Sequence, residues 1–157
     1  MEYTLNEFLT NKQKLLMKSL NKFYTIQNIN IITPILLGET KLSLRIIDWF
    51  VTNYSKKNNV IYLVDKIKNN KSIKEQFVVH LNYKNQLKAY TKKAFDPFCR
   101  RDRIHFTYDD DKFLITTVGQ LNFFKWAIEN KIIDYLKENL KVIDLDMNKN
   151  IKKHYKS

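Results

Sequence analysis

The chain is poor in the residues that most recognisable functional motifs require. Among its 157 residues are one cysteine, two glycines, two prolines, three histidines and four arginines. A single cysteine excludes a disulfide scaffold and agrees with a reducing compartment. Gly38 and Gly119 cannot build a glycine-rich phosphate loop, and no serine sits in a strand-to-helix elbow motif. Cys99, His80, His105 and His154 lack the spacing of a four-ligand zinc site, and Cys99 and His105 are read as a half-buried thiol and a strand histidine. No apolar run approaches the roughly 20 residues of a membrane-spanning helix. The opening Met1-Glu2-Tyr3-Thr4-Leu5 has no basic stretch leading into an apolar one. The expectation is a soluble intracellular protein without membrane partner, cofactor or metal.

What the chain has in quantity is lysine and aromatic bulk. Its hydrophobic content of 44%, with ten Phe, nine Tyr and two Trp, suits one domain over residues 1–157 with a frayed tail at 148–157. The net charge of +12 directs attention to nucleic acid, an anionic membrane or an acidic protein partner. A plainer origin competes with this. Lys, Asn, Ile and Tyr all have A/T-rich codons, so scattered lysines could reflect composition bias and serve only as solvated surface.

Periodicity predicts an α+β fold: N-terminal helices, two antiparallel hairpins with a short helix between them, and two C-terminal helices. Thr4 and Glu7 form a capping-box pattern that would open a first helix carrying Leu5, Phe8, Leu9, Leu15, Leu16 and Leu20. Pro34 suits the first position of a short helix that Gly38 ends, and Ser43 the cap of a stronger one over 44–54. Residues 60–64 and 76–83 read as strands joined by a long, basic, mobile loop, with Phe77, Val79, Leu81 and Tyr83 on one side. A helix follows over 84–93. Residues 104–108 and 112–116 form the second hairpin around Asp109-Asp110-Asp111. Thr117 and Gln120 cap a helix reaching Leu136, and a last helix covers 138–153.

The conspicuous stretch is 94–103, with three of the four arginines, one proline and the only cysteine. Arginine's planar fork grips phosphate bidentately and stacks on rings, which lysine does poorly. From Tyr83 to Phe106, Lys84, Lys88, Lys92, Lys93, Arg100, Arg101 and Arg103 interleave with Tyr90, Phe95, Phe98 and Phe106. Against Asp96 and Asp102 this leaves a local charge of +5. Basic groups would neutralise phosphates, and Tyr90 could stack on a base. Phe95 and Phe98, beside Pro97, read better as core anchors. Gln120, Asn122 and Lys125 lie near a helix N-terminus, where phosphate or base contact competes with a capping or surface role. The aspartates at 109–111 could attract a divalent metal, but their plainer role is to solvate a turn.

Three blocks carry a resemblance: residues 43–57, beginning Ser43-Leu44-Arg45-Ile46-Ile47-Asp48-Trp49-Phe50; residues 83–103; and residues 116–128, beginning Thr116-Thr117-Val118-Gly119-Gln120-Leu121-Asn122. Together they resemble a family of short uncharacterised proteins of large nucleocytoplasmic DNA viruses, of the mimivirus and phycodnavirus kind, over roughly residues 30–145. The A/T-biased composition agrees. The resemblance implies a viral setting, in host cytoplasm, nucleus, viral factory or virion, and it implies no catalytic residues.

The functional expectation is a non-enzymatic nucleic-acid-binding protein acting in replication, transcription or genome packaging, with DNA favoured over RNA. Its contacts would be Lys84, Lys88, Tyr90, Lys92, Lys93, Arg100, Arg101, Arg103, Gln120, Asn122 and Lys125. The alternative is a structural or scaffolding protein that self-associates or binds acidic viral partners. A metal-dependent nuclease is the third reading.

Overall fold

A computed structural model describes residues 2–4, 10–91, 94–98 and 102–156, with 2–4 and 152–156 as backbone. Its contacts divide the chain into two units, each assembled from two stretches of sequence: residues 1–44 with 89–126, and residues 45–88 with 127–157.

The first unit sets helices against a three-stranded antiparallel sheet. Its helices are α1 (Asn11–Phe23) and α2 (Ile26–Leu36). Its strands are β1 (Glu2–Thr4), β4 (Arg103–Tyr108) and β5 (Lys112–Thr117), in the order β1-β4-β5. Strand alternation decides what is buried: Ile104, Phe106 and Tyr108 turn inward while Arg103 and His105 face solvent. Met17, Leu20, Tyr24, Ile29 and Ile32 are buried on the helices. The Tyr24 ring lies edge-on to Phe106 with centroids 6.1 Å apart, and its hydroxyl donates to the Leu121 carbonyl. This fully buried tyrosine therefore has a partner for its polar end.

Glu2–Thr4 is a strand paired with β4. The first turn expected after Thr4, with Leu5, Phe8 and Leu9, lies outside the described residues. The capping pattern occurs twice, and Thr10 with Gln13 is the pair that forms the box: Gln13 N–H donates to Thr10 Oγ1 at 3.2 Å and Thr10 N–H to Gln13 Oε1 at 3.0 Å. Pro34 lies inside α2, whose cap is Thr25, so the helix begins eight residues before the proline. Gly38 ends it as expected. At φ +71 it closes a Schellman turn, with Gly38 N–H on Ile35 O and Glu39 N–H on Pro34 O.

The second unit begins with α3 (Leu44–Trp49), which runs through a π-helical turn (Phe50–Tyr54) into α4 (Ser55–Lys57). Thr52 Oγ1 donates to Asp48 O and Ser55 Oγ to Val51 O, supplying side-chain donors along the widened turn. A two-stranded ribbon follows, β2 (Ile61–Lys68) with β3 (Lys71–Val78), then α5 (Val79–Ala89). The helix α6 (Val118–Glu129) belongs to the first unit as far as Trp126, and α7 (Ile132–Glu138) and α8 (Leu140–Lys156) complete the second. Phe50 stacks on Tyr135 at 5.3 Å, Tyr135 on Tyr62 at 5.4 Å, and Tyr62 packs on Phe77 at 5.5 Å. The Tyr62 hydroxyl donates to Asn130 O at 2.6 Å. Burial, with Tyr135 and Asp134 nearby, pushes its phenol above the ordinary tyrosine value.

The two hairpins with α5 between them and the helical C-terminal part stand as predicted, and the fold is α+β. The ribbon is the main correction. The stretch 65–75, expected as a loop, is mostly strand, because Asn69 and Asn70 (φ 52 and 61) make a two-residue left-handed turn that pairs Lys68 with Lys71. β3 ends at Val78, and the residues expected to continue it, including Leu81 and Tyr83, belong to α5, where Leu81 is exposed. Lys131 at φ 60 breaks the helix expected to reach Leu136 into α6 and α7. The helix α8 continues through Lys156.

Candidate nucleic-acid interface

The residues expected to bind are distributed over both units. Lys84 and Lys88 are exposed on α5, one turn apart. Tyr90 is half-buried and lies flat against Phe95, with centroids 6.1 Å apart and planes 14° from parallel. Arg103 is exposed at the start of β4. Lys92, Lys93, Arg100 and Arg101 lie outside the described residues, as does Cys99.

Gln120 and Asn122 have a different task from the one expected. Asn122 is buried, and its Nδ2 donates to Ala94 O at 2.8 Å. Gln120 Nε2 donates to Pro97 O at 2.8 Å while its Oε1 accepts from Thr116 Oγ1 at 2.9 Å. Its backbone N–H donates to Thr117 Oγ1, the predicted cap. Both amides are thus engaged in fastening residues 94–98 to α6. Lys125 is half-buried, its Nζ 5.8 Å from the centre of the Phe23 ring, a position that favours packing over ligand contact.

The 94–98 segment is itself a plug. Phe95 is fully buried against Phe123 and Trp126, each 5.4 Å away. Phe98 is 41% exposed, so only the first of the two expected anchors enters the core. Asp96 accepts the Phe98 N–H at 2.9 Å, so one carboxylate oxygen serves the turn. Beside it, a cleft of about 630 Å³ is lined by Lys12, Gln13, Leu16, Tyr90 and Asp102.

The positive charge is uneven between the units. Residues 45–88 and 127–157 hold sixteen basic and eight acidic residues, a net +8, against twelve and eight, a net +4, for the other unit. The outer half of the ribbon in the +8 unit has little cover. Every residue of β3 from Lys71 to Gln76 is exposed, as are Ile67 and Lys68 on β2, so its outer half packs on neither face. Between 66 and 74 it carries Lys66, Lys68, Lys71 and Lys74 and no acidic residue. Asp65 and Glu75 close that span, 4.0 Å from Lys74 and 3.7 Å from Lys68, and such exposed pairs bind their lysines weakly. Lys66 instead donates to Asn130 Oδ1 at 3.1 Å and holds the ribbon's inner half.

One further polar constellation is structural. Asp146 accepts from Trp49 Nε1 at 3.0 Å and from Lys57 Nζ at 2.5 Å, joining α8 to the α3–α4 rod. Burial alone would raise its carboxyl, but the hydrogen bonds from Lys57 and Trp49 hold it below the usual value. Among the described residues no group of three or more His, Cys, Asp or Glu could hold a metal ion, and no helix is long and apolar enough to cross a membrane.

The comparisons with known proteins agree with the resemblance seen in the sequence. A model for a family of unknown function, DUF7197, matches residues 2–157, so the chain belongs to that family. It is 44% identical over 156 residues to "Uncharacterized protein L507" of Acanthamoeba polyphaga mimivirus. That match covers 95% of this chain and 59% of the mimivirus protein, so the chain spans little more than half of its relative's length. No solved structure matches. The kinship with a giant-virus family is thereby shown, and it carries no assigned activity.

Proposed function

We propose that this member of a viral family is a non-enzymatic nucleic-acid-binding protein that engages duplex DNA through the β2–β3 ribbon, with Lys84 and Lys88 of α5 as supporting contacts. The observation that carries the reading is the ribbon's outer half, exposed on both faces and lysine-bearing from Lys68 to Lys74 without an intervening carboxylate. A two-stranded ribbon has the width to enter a major groove, and lysines along it would displace counterions from phosphates. An unsupported ribbon is marginal by itself, so a ligand that covers it would also stabilise it. Replication, transcription and genome packaging all supply such a ligand in a large DNA virus.

The test is fluorescence anisotropy with a labelled 20-base-pair duplex from about 50 to 200 mM salt, the range over which phosphate-driven binding weakens steeply. Binding at low salt that declines across this range is expected. A flat baseline at the lowest salt contradicts the proposal.

A second reading, a scaffold that self-associates, draws on one observation. Ile61, Leu63 and Ile67 share a ribbon face and are 47, 61 and 81% exposed. Light scattering that finds a defined oligomer, with no response to DNA, favours it.

A further inference from the structure

We propose that the outer face of the β4–β5 hairpin is a stacking platform for single-stranded nucleic acid, a site separate from the ribbon and resting on the same general reading of the protein as a nucleic-acid binder. The pairing register sets out the face. His105 lies directly across from Ile115, Thr107 across from Phe113, and Arg103 across from Thr117. On the other side of this sheet Ile104, Phe106, Leu114 and Thr116 are buried in the unit's core, so the alternation leaves Arg103, His105, Phe113 and Ile115 outward.

These outward side chains are unusual for a solvated sheet face. Phe113 is 55% and Ile115 50% exposed. His105 and Phe113, diagonal neighbours on the two strands, lie flat on each other with centroids 5.2 Å apart and planes 15° from parallel. A parallel pair covers one face of each ring and leaves the other open, which is the surface an unpaired base uses for stacking. Aromatic side chains on a sheet are a recurrent way of holding splayed bases, and they tolerate any base because each has a π-face.

Charge gives the platform a direction. Arg103 stands on the same face one strand repeat beyond His105, away from the turn. Asp109, Asp110 and Asp111 form the turn at the Phe113 end, where Lys112 lies 3.8 Å from Asp109. Phosphate is attracted at the arginine end and repelled at the aspartate end. A base on the ring pair with its backbone running toward Arg103 satisfies both. An exposed arginine and a chain charge of +12 match a polyanion better than a neutral protein surface. A purely apolar partner would leave Arg103 unanswered.

The experiment uses the full chain with a labelled single-stranded deoxythymidine 12-mer and, in parallel, the 20-base-pair duplex. Phe113→Ala and His105→Ala should each weaken the 12-mer by about 5- to 150-fold, the range for loss of one base–aromatic stack. Duplex affinity and the mass by light scattering should not change. Phe113→Leu, which keeps apolar bulk and guards against misfolding, should show the same loss, while His105→Phe should retain binding. Unchanged 12-mer affinity in Phe113→Leu overturns the platform, and so does an effect on oligomeric mass in place of one on the 12-mer. In both cases ribbon-dependent duplex binding still stands. If the wild-type chain binds neither probe, the nucleic-acid reading fails and the platform fails with it.

Discussion

Asn122 and Ala94 are 28 positions apart in the sequence and are joined by a 2.8 Å hydrogen bond from the Asn122 amide to the Ala94 carbonyl. With Gln120 on Pro97, this bond fastens residues 94–98 onto α6 and seats Phe95 among Phe123 and Trp126. Asn122→Ala would leave the Ala94 carbonyl short of its buried donor. It should lower unfolding stability by about 1–3 kcal/mol, read as a shifted denaturant midpoint at unchanged slope. Asn122→Ala should also leave duplex affinity intact, and a selective loss of binding without loss of stability would return Asn122 to the interface.

The Asp146 site predicts an acid dependence. Its carboxyl is held below the ordinary aspartate value by Lys57 and Trp49, despite burial. A depressed folded-state pKa contributes stability above the unfolded value of about 3.9, and that contribution is lost as pH falls through the folded value. Wild type should therefore lose stability more steeply than Asp146→Asn below about pH 4. Thermal melts at neutral and acid pH compare the two, and parallel curves would count against the Trp49–Asp146–Lys57 linkage.

The ribbon turn makes a third prediction. Asn69 and Asn70 both adopt left-handed backbone, which asparagine tolerates and β-branched residues do not. Asn70→Gly should protect ribbon amides from hydrogen exchange, since Asn-Gly is the preferred sequence for this turn. Asn70→Val should expose them, by about 1–2 kcal/mol of local opening, and weaken duplex binding with little change in global stability. Equal protection in the two variants would mean that another conformation serves the turn.

Several of these features were legible from the sequence and several were not, for identifiable reasons. The second hairpin, the Gly38 stop and the Thr117 cap depend on local chemistry, and all three stand. The ribbon was hidden because its outer half faces solvent on both sides. Ile67 and Ile73 lie among lysines with no apolar alternation to mark a strand, and only the Asn69-Asn70 pair pointed to a tight turn. The His105–Phe113 face was hidden for the opposite reason. Both faces of that hairpin carry bulky residues, so alternation marks the strands without saying which side is core. The role of Asn122 could not be seen because its partner is a carbonyl 28 residues away.

The central claim, that ribbon lysines contact phosphate, is tested most directly by the salt dependence of duplex binding. Wild type and the Lys68→Ala, Lys71→Ala, Lys74→Ala triple variant are compared as log affinity against log salt. If each lysine neutralises one phosphate, the slope should fall in magnitude by about 2 to 3 in the triple variant, while a Lys14→Ala, Lys18→Ala control on α1 keeps the wild-type slope. A triple variant with the wild-type slope would contradict the account.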